Sequence, residues 1–180
     1  MNDLLLLANL LGGPLHGYAL KKQVALISGN PAMHNNLVYP LLRRFVGKGW
    51  VRQKRTAGER GQTRVVYSLT PAGRVELLRR LGEFGDDEAH SSEAFQLRVG
   101  LFGFLQPAER AEILARRKNH LETRDQKLAD LQKRFRLEGY SGEVVGFLLK
   151  QTRAELAWVS HLSRASSGAR RENVRHRRES

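Results

Sequence analysis

The 180 residues carry 31 Lys/Arg against 18 Asp/Glu, a formal net charge of +13, and no cysteine, which excludes disulfides and thiolate metal sites. The basic excess is uneven: residues 1–85 hold 13 basic and 4 acidic side chains, the remainder 18 and 14, and the last twelve residues form a cluster of their own. That asymmetry implies a polyanionic partner, with nucleic acid ahead of an anionic membrane surface.

The opening "LLLLANLLGG" is too short to span a bilayer and, with no basic segment before it, does not read as a convincing signal peptide. It reads as a buried helix, capped by Asp3 and stopped near Leu11 by Gly12-Gly13-Pro14. The chain is therefore expected in the cytoplasm. A second helix follows over about 17–28, with Leu20, Val24 and Ile27 on one face, and "GNP" breaks it. The third begins within 34–36 and ends within 47–49, with Val38, Leu41, Leu42 and Phe45 at three- and four-residue spacing. Pro40 falls early in this helix, where most N–H groups have no intrahelical partner, so it costs one hydrogen bond and a mild bend. It thereby marks the helix start.

The period then changes from helical to alternating. "WVRQKRTA" and "TRVVYSLT" flank the two glycines of "GERGQ" and read as a hairpin. Thr70 then caps a fourth helix with Pro71 at its first position. Helix, helix, helix, hairpin, helix is the winged helix-turn-helix order, in which the third helix enters a DNA major groove and the hairpin approaches backbone or minor groove. The fold expected is mainly α: an N-terminal winged helix-turn-helix over 1–82, then an all-helical dimerisation domain over 95–166.

Residues 83–94 are polar and aperiodic and read as a linker or loop. "EAFQLRVGLFGFL" is helical, and Pro107 opens a long helix through about Glu138. In it Leu114, Leu121, Leu128 and Phe135 recur every seven residues, supported by Leu131, while Arg117 and Arg124 hold the companion positions. The seam is thus one-sided. After a break at 139–142, a last helix from about Glu143 carries Val145, Leu148, Thr152, Leu156 and Val159, with Val144, Phe147 and Trp158 adjoining. So broad an apolar surface calls for a partner, and a symmetric homodimer is the expected one. Residues 167–180 have no apolar period and read as a disordered basic tail.

Three segments carry a resemblance. "GPLHGYAL", "VYPLLRRFVGKGWV" and "RVVYSLTPAG" resemble the signature stretches of PadR-type transcriptional regulators, and "LRVGLFGFLQPAERAEIL" is similar to the virulence-activator-like C-terminal region of the longer members. The resemblance covers nearly the whole chain apart from the basic tail. It implies a homodimer whose two winged helices bind a palindromic operator in double-stranded DNA, repress a neighbouring gene, and release DNA when a small molecule binds. The third helix departs from the family's usual Gly-Thr-Leu-Tyr run: here Asn36-Leu37-Val38-Tyr39 follow His34-Asn35, and Leu37 replaces a hydroxyl residue. The role carries over, but the target sequence does not.

Asn35 and Asn36 are the candidates for base contact, since an asparagine amide bonds adenine bidentately and helix N-terminal residues face base edges. One of them is equally suited to cap the helix. His34 is a candidate phosphate or base contact or a solvent-exposed loop residue. The family's tyrosine corresponds to Tyr39, whose hydroxyl the resemblance aims at a backbone phosphate; packing against the helix is the alternative. Arg43 and Arg44 suit phosphates, which position a protein without reading sequence. Lys54, Arg55, Arg60, Gln62 and Arg64 surround the hairpin turn and suit a narrow minor groove.

In the helical half, Trp158 and Phe147 are the candidates for an effector pocket taking a small aromatic molecule, with dimer-core packing as the bland alternative. His16 is read as structural, with Gly17 and Tyr18 fixing the turn and packing the second helix. The six histidines show no metal-ligand spacing, and neither metal nor cofactor is implied. "GYSGE" lacks the Gly-x-Ser-x-Gly spacing and a preceding strand, so no enzyme is expected. The rival functional classes are a nonspecific architectural DNA-binding protein and a winged helix that serves protein interaction.

Overall fold

In the computed structural model the chain forms two compact units, Met1–Glu83 and Phe84–Ser180. The structure describes residues 2–28, 35–57 and 63–176.

The first unit runs α1 (Asn2–Asn9), a 3-10 turn (Leu10–Gly12), β1 (Leu15–His16), α2 (Gly17–Ser28), α3 (Asn35–Gly47), β2 (Val51–Ala57), β3 (Thr63–Leu69) and α4 (Pro71–Gly82). This is the winged helix-turn-helix order. The four consecutive leucines of α1 are all buried, because a short helix apolar all round sits inside the unit and not on its surface. Val38, Leu42 and Phe45 carry the buried side of α3. Pro40 lies inside α3 and is exposed, and the bond it cannot make is the one to the Asn36 carbonyl.

β1 was not legible as a strand; two residues are below any alternation signal. It pairs with β3, Leu15 opposite Tyr67 and His16 opposite Val66, giving an antiparallel sheet in the order β1-β3-β2. Gly49, at φ 70, closes α3 and turns the chain into β2. Thr70 caps α4 as the sequence predicts, accepting from the Gly73 N–H at 3.0 Å, with Pro71 at the first position. Asp3 is not a cap: α1 already starts at Asn2, and the Asp3 carboxylate instead pairs with Arg44 and with Arg80, the latter at 2.9 Å.

The second unit contains α5 (Asp86–Ala89), α6 (Ser92–Val99), a 3-10 turn (Phe102–Phe104), α7 (Pro107–Phe135) and α8 (Gly139–His176). The stretch 83–94 is therefore not a linker. Phe84, Ala89 and Ala94 are buried in it, Gly85 O accepts from the N–H groups of Glu88 and Ala89, and Ser91 caps α6. Its polar residues conceal three buried side chains five residues apart, a spacing that does not register as a helical period.

The helical break also moves. It falls on Arg136 (φ 44) and Gly139 (φ 58), which reverse α7 into α8, while Gly142 lies inside the new helix. Helix α8 runs to His176, into the stretch expected to be disordered; its alanines, arginines and glutamate favour helix once one is propagating. Among the described residues, no helix is long and apolar enough to cross a membrane.

Arg98 and Arg117 are buried, each about 2 % exposed. Arg98 donates to Glu88 at 2.7 Å and stands over the Phe84 ring. Arg117 donates to Glu155 at 2.7 and 2.9 Å, to the Ser92 hydroxyl at 2.6 Å and to the Ala89 carbonyl, so it ties α5, α6 and α8 to α7. The position that interrupts the leucine seam is thus a buried junction.

Candidate nucleic-acid interface

Arg43 and Arg44 lie on the exposed side of α3 but face different surroundings. Arg44 pairs with Asp3 of α1 and lies over the Phe45 ring. Arg43 stands on the other flank, close enough to Tyr67 for its guanidinium to act on that hydroxyl. Of the two, Arg43 is the better placed for a phosphate, because Arg44 must first leave a carboxylate.

The wing presents its basic residues on both faces. Opposed residues of an antiparallel pair point the same way. With Lys54 opposite Val66 and Thr56 opposite Arg64, the side chains of Arg52, Lys54 and Arg64 share one face, while Arg55, opposite Val65, shares the other with Val51 and Tyr67. Arg52, Lys54, Arg55 and Arg64 are all exposed. Arg52 was missed as a candidate, although the same alternation that marks Lys54 includes it.

Helix α3 and the wing meet at a hollow of about 500 Å³, lined by His16, Gly17, Tyr39, Arg64, Val65 and Tyr67 among others. Its origin is topological. β1 ends opposite Val66, so the edge of β3 at Arg64 and Val65 has no strand beside it there. Tyr39 is half-buried and packs on Gly17: a Cβ at that glycine would stand 3.0 Å from the Tyr39 ring and 3.3 Å from both its hydroxyl and the Tyr67 ring. Burial holds the Tyr67 hydroxyl above the usual phenol range; Tyr39 adds to this and Arg43 opposes it. Tyr18, by contrast, does not pack against α2 as expected, being 74 % exposed at the rim of the hollow.

Asn35 and Asn36 are the first two residues of α3, so neither is its N-cap in this helix; their side chains, and all of His34, Arg60 and Gln62, lie outside the described residues. Phe147 and Trp158 do not come together. They lie eleven residues apart along α8, about 16 Å. Trp158 packs edge-on to Phe95 at 5.6 Å, and Phe147 faces solvent beside the α7–α8 turn. His90 and His120 meet at 4.3 Å, a pairing that linear spacing does not reveal, yet no group of three or more ligating side chains forms among the described residues.

Residues 5–79 match the model of the transcriptional regulator PadR-like family. No curated protein matches the chain. Among solved structures, Bacillus subtilis PadR in complex with operator DNA is 16% identical, with 91% of this chain and 98% of that one covered, at a TM-score of 0.45. The same protein in complex with p-coumaric acid gives 16%, 92%, 98% and 0.39. TA0346 from Thermoplasma acidophilum, a candidate transcriptional regulator, is 27% identical over 57% of this chain and 86% of its own, at 0.42.

Proposed function

We propose that this chain is a PadR-like transcriptional regulator, a cytoplasmic repressor that binds a palindromic operator as a homodimer and is released by a small-molecule effector; the match of residues 5–79 to the PadR-like family model supports this reading. Helix α3 presents Asn35 and Asn36 to base edges in the major groove, with His34 beside them. Tyr39 and Arg43 take backbone phosphates, and Lys54, Arg55, Arg60, Gln62 and Arg64 hold the flanking backbone through the wing. The observation that carries this reading is the convergence of Tyr39 of α3 and Arg64 of β3 on one hollow, with Arg43 on the adjoining flank. That proximity supports a joint approach of the third helix and the wing to one DNA backbone.

Binding should be measured on the DNA upstream of the gene itself, with random DNA as competitor. A specific regulator holds its operator about a thousandfold or more tightly over random sequence; a ratio near unity identifies a nonspecific binder instead. Arg60→Ala and Arg64→Ala should each weaken binding to every sequence and reduce the slope of log affinity against log salt by about 0.9, one phosphate contact each. An unchanged slope removes the wing from the interface.

A further inference from the structure

We propose that His90 and His120 form an acid-operated latch, which holds the α5–α6 segment on α7 at neutral pH and lets it go as the pH falls. The two rings meet edge to face with centroids 4.3 Å apart. The fold assembles this contact from separate stretches of chain, since His90 closes α5 and His120 lies in the middle of α7. His90 is exposed and donates its Nδ1–H to the Asp86 carbonyl, which fixes the ring at the end of α5. His120 is half-buried, and its Nε2 is sealed from solvent with no hydrogen-bond partner among the described residues. A neutral imidazole tolerates such a nitrogen as a bare acceptor. An imidazolium does not, because both of its nitrogens carry N–H donors that need partners.

The surrounding charges act in the same direction. Arg117 and Arg124 of α7 oppose a positive charge on His120, and Glu155 of α8 favours one. That carboxylate is already committed to Arg117, at 2.7 and 2.9 Å. On α5, Asp86 pairs with Arg116 and Glu88 with Arg98, while Asp87 is exposed; on α6, Glu93 accepts from the Ser91 hydroxyl. Burial first, then His90 and the two arginines, hold the His120 imidazole below its ordinary value of 6.5. A histidine depressed in this way contributes its full stability above about 6.5, and that contribution is lost as pH falls from there towards the folded-state value. A proton excluded from the closed form and bound normally by the open form shifts the opening equilibrium about tenfold by pH 5.5. The α7–α8 hairpin keeps its own packing, with Leu114, Leu121, Leu149 and Val159 buried, so the opening is local. Residues 84–91 are the first of the second unit in chain order, and their release lengthens the connection leading into it.

Amide hydrogen exchange of the full-length chain, corrected for the intrinsic effect of pH, tests the latch without DNA. Between pH 7.5 and 5.5, exchange over residues 86–95 should quicken about tenfold, while the α7 amides over 113–121 stay protected. His120→Phe keeps a ring against His90 and removes the titration, so its exchange over 86–95 should not respond to pH. The wild-type chain gives a second reading that needs no variant to fold. There the His120 imidazole resonance should titrate with a midpoint below the ordinary histidine value of about 6.5. A midpoint at or above that value, or equal acid opening in His120→Phe, overturns the latch. Opening that spreads equally over 113–121 is global unfolding and overturns it as well.

Discussion

Thr70 and Gly73 join the wing to the helix behind it through contacts too close for most substitutions. The Thr70 hydroxyl donates to the Gly49 carbonyl at 2.6 Å and accepts from Gly73 N–H, and the Thr70 N–H donates to Trp50 O at 3.0 Å. A Cβ on Gly73 would lie 1.9 Å from that same Trp50 oxygen, a backbone atom that cannot swing aside. Gly73→Ala should therefore cost about 3 kcal/mol or more in urea unfolding, the upper end of overpacking. Thr70→Ala should cost about 1 kcal/mol and Thr70→Ser much less, since serine keeps the cap. Glu76, on the same helix, gives a pH dependence. Its carboxyl is held down at about 2, first by the hydrogen bond from Arg79 and further by Arg80, against an ordinary 4.5. A depressed carboxyl stabilises the fold above its unfolded pKa, and that contribution is lost as pH falls from about 4.5 through about 2. Glu76→Gln should flatten the decline of the unfolding midpoint across this window; an unaltered decline would assign it to other carboxylates.

At the scale of elements, the hairpin of α7 and α8 shows where pattern reading succeeds and where it stops. Leu114 and Leu121 were legible as apolar positions and are buried. Arg117 was legible only as an interruption, because periodicity treats any arginine as solvated. Its partner Glu155 is 38 residues away, a pairing created by the fold and invisible in local sequence. The same holds for Asp3, legible as a cap but committed to Arg44 and Arg80, 41 and 77 residues on. The three helices, hairpin and capped fourth helix of the first unit were readable because their signals are local: glycine stops, alternation, Thr-Pro. The hollow was not, since it needs Gly17, Tyr39 and Tyr67 brought together from three elements. A buried ion pair is costly to break and not necessarily stabilising to keep. Arg117→Met and Glu155→Leu should each cost about 3 kcal/mol or more, while the double variant should recover most of that loss. Strict additivity in the cycle would show that the two side chains act independently.

At the scale of the whole molecule, the dimer expected from the sequence must use a surface that the hairpin has not already consumed. The α7 seam is half spent, with Leu114 and Leu121 packed inside their own unit. Helix α8, however, has two apolar stripes. Val145, Leu149, Thr152 and Val159 are buried, whereas Tyr140, Val144, Phe147 and Trp158 remain exposed, Phe147 by 64 % and Trp158 by 37 %. With Gln151 and Ala154 between them, these four follow a 4-3-4-3-4 spacing, the seam that seats a second helix. The proposed operator with two half-sites would call for such pairing, because each bound half raises the effective concentration of the other. Val144→Glu combined with Phe147→Glu places two carboxylates in that seam without touching the packed stripe. Helical content and melting of the subunit should change little, while sedimentation should shift from dimer to monomer. Operator affinity should then fall by about a hundredfold or more through loss of bivalency, and the salt slope should drop towards half as the second set of phosphate contacts is lost. A variant that sediments as a dimer would move the interface off this stripe. A monomer with undiminished operator affinity would remove the need for two half-sites.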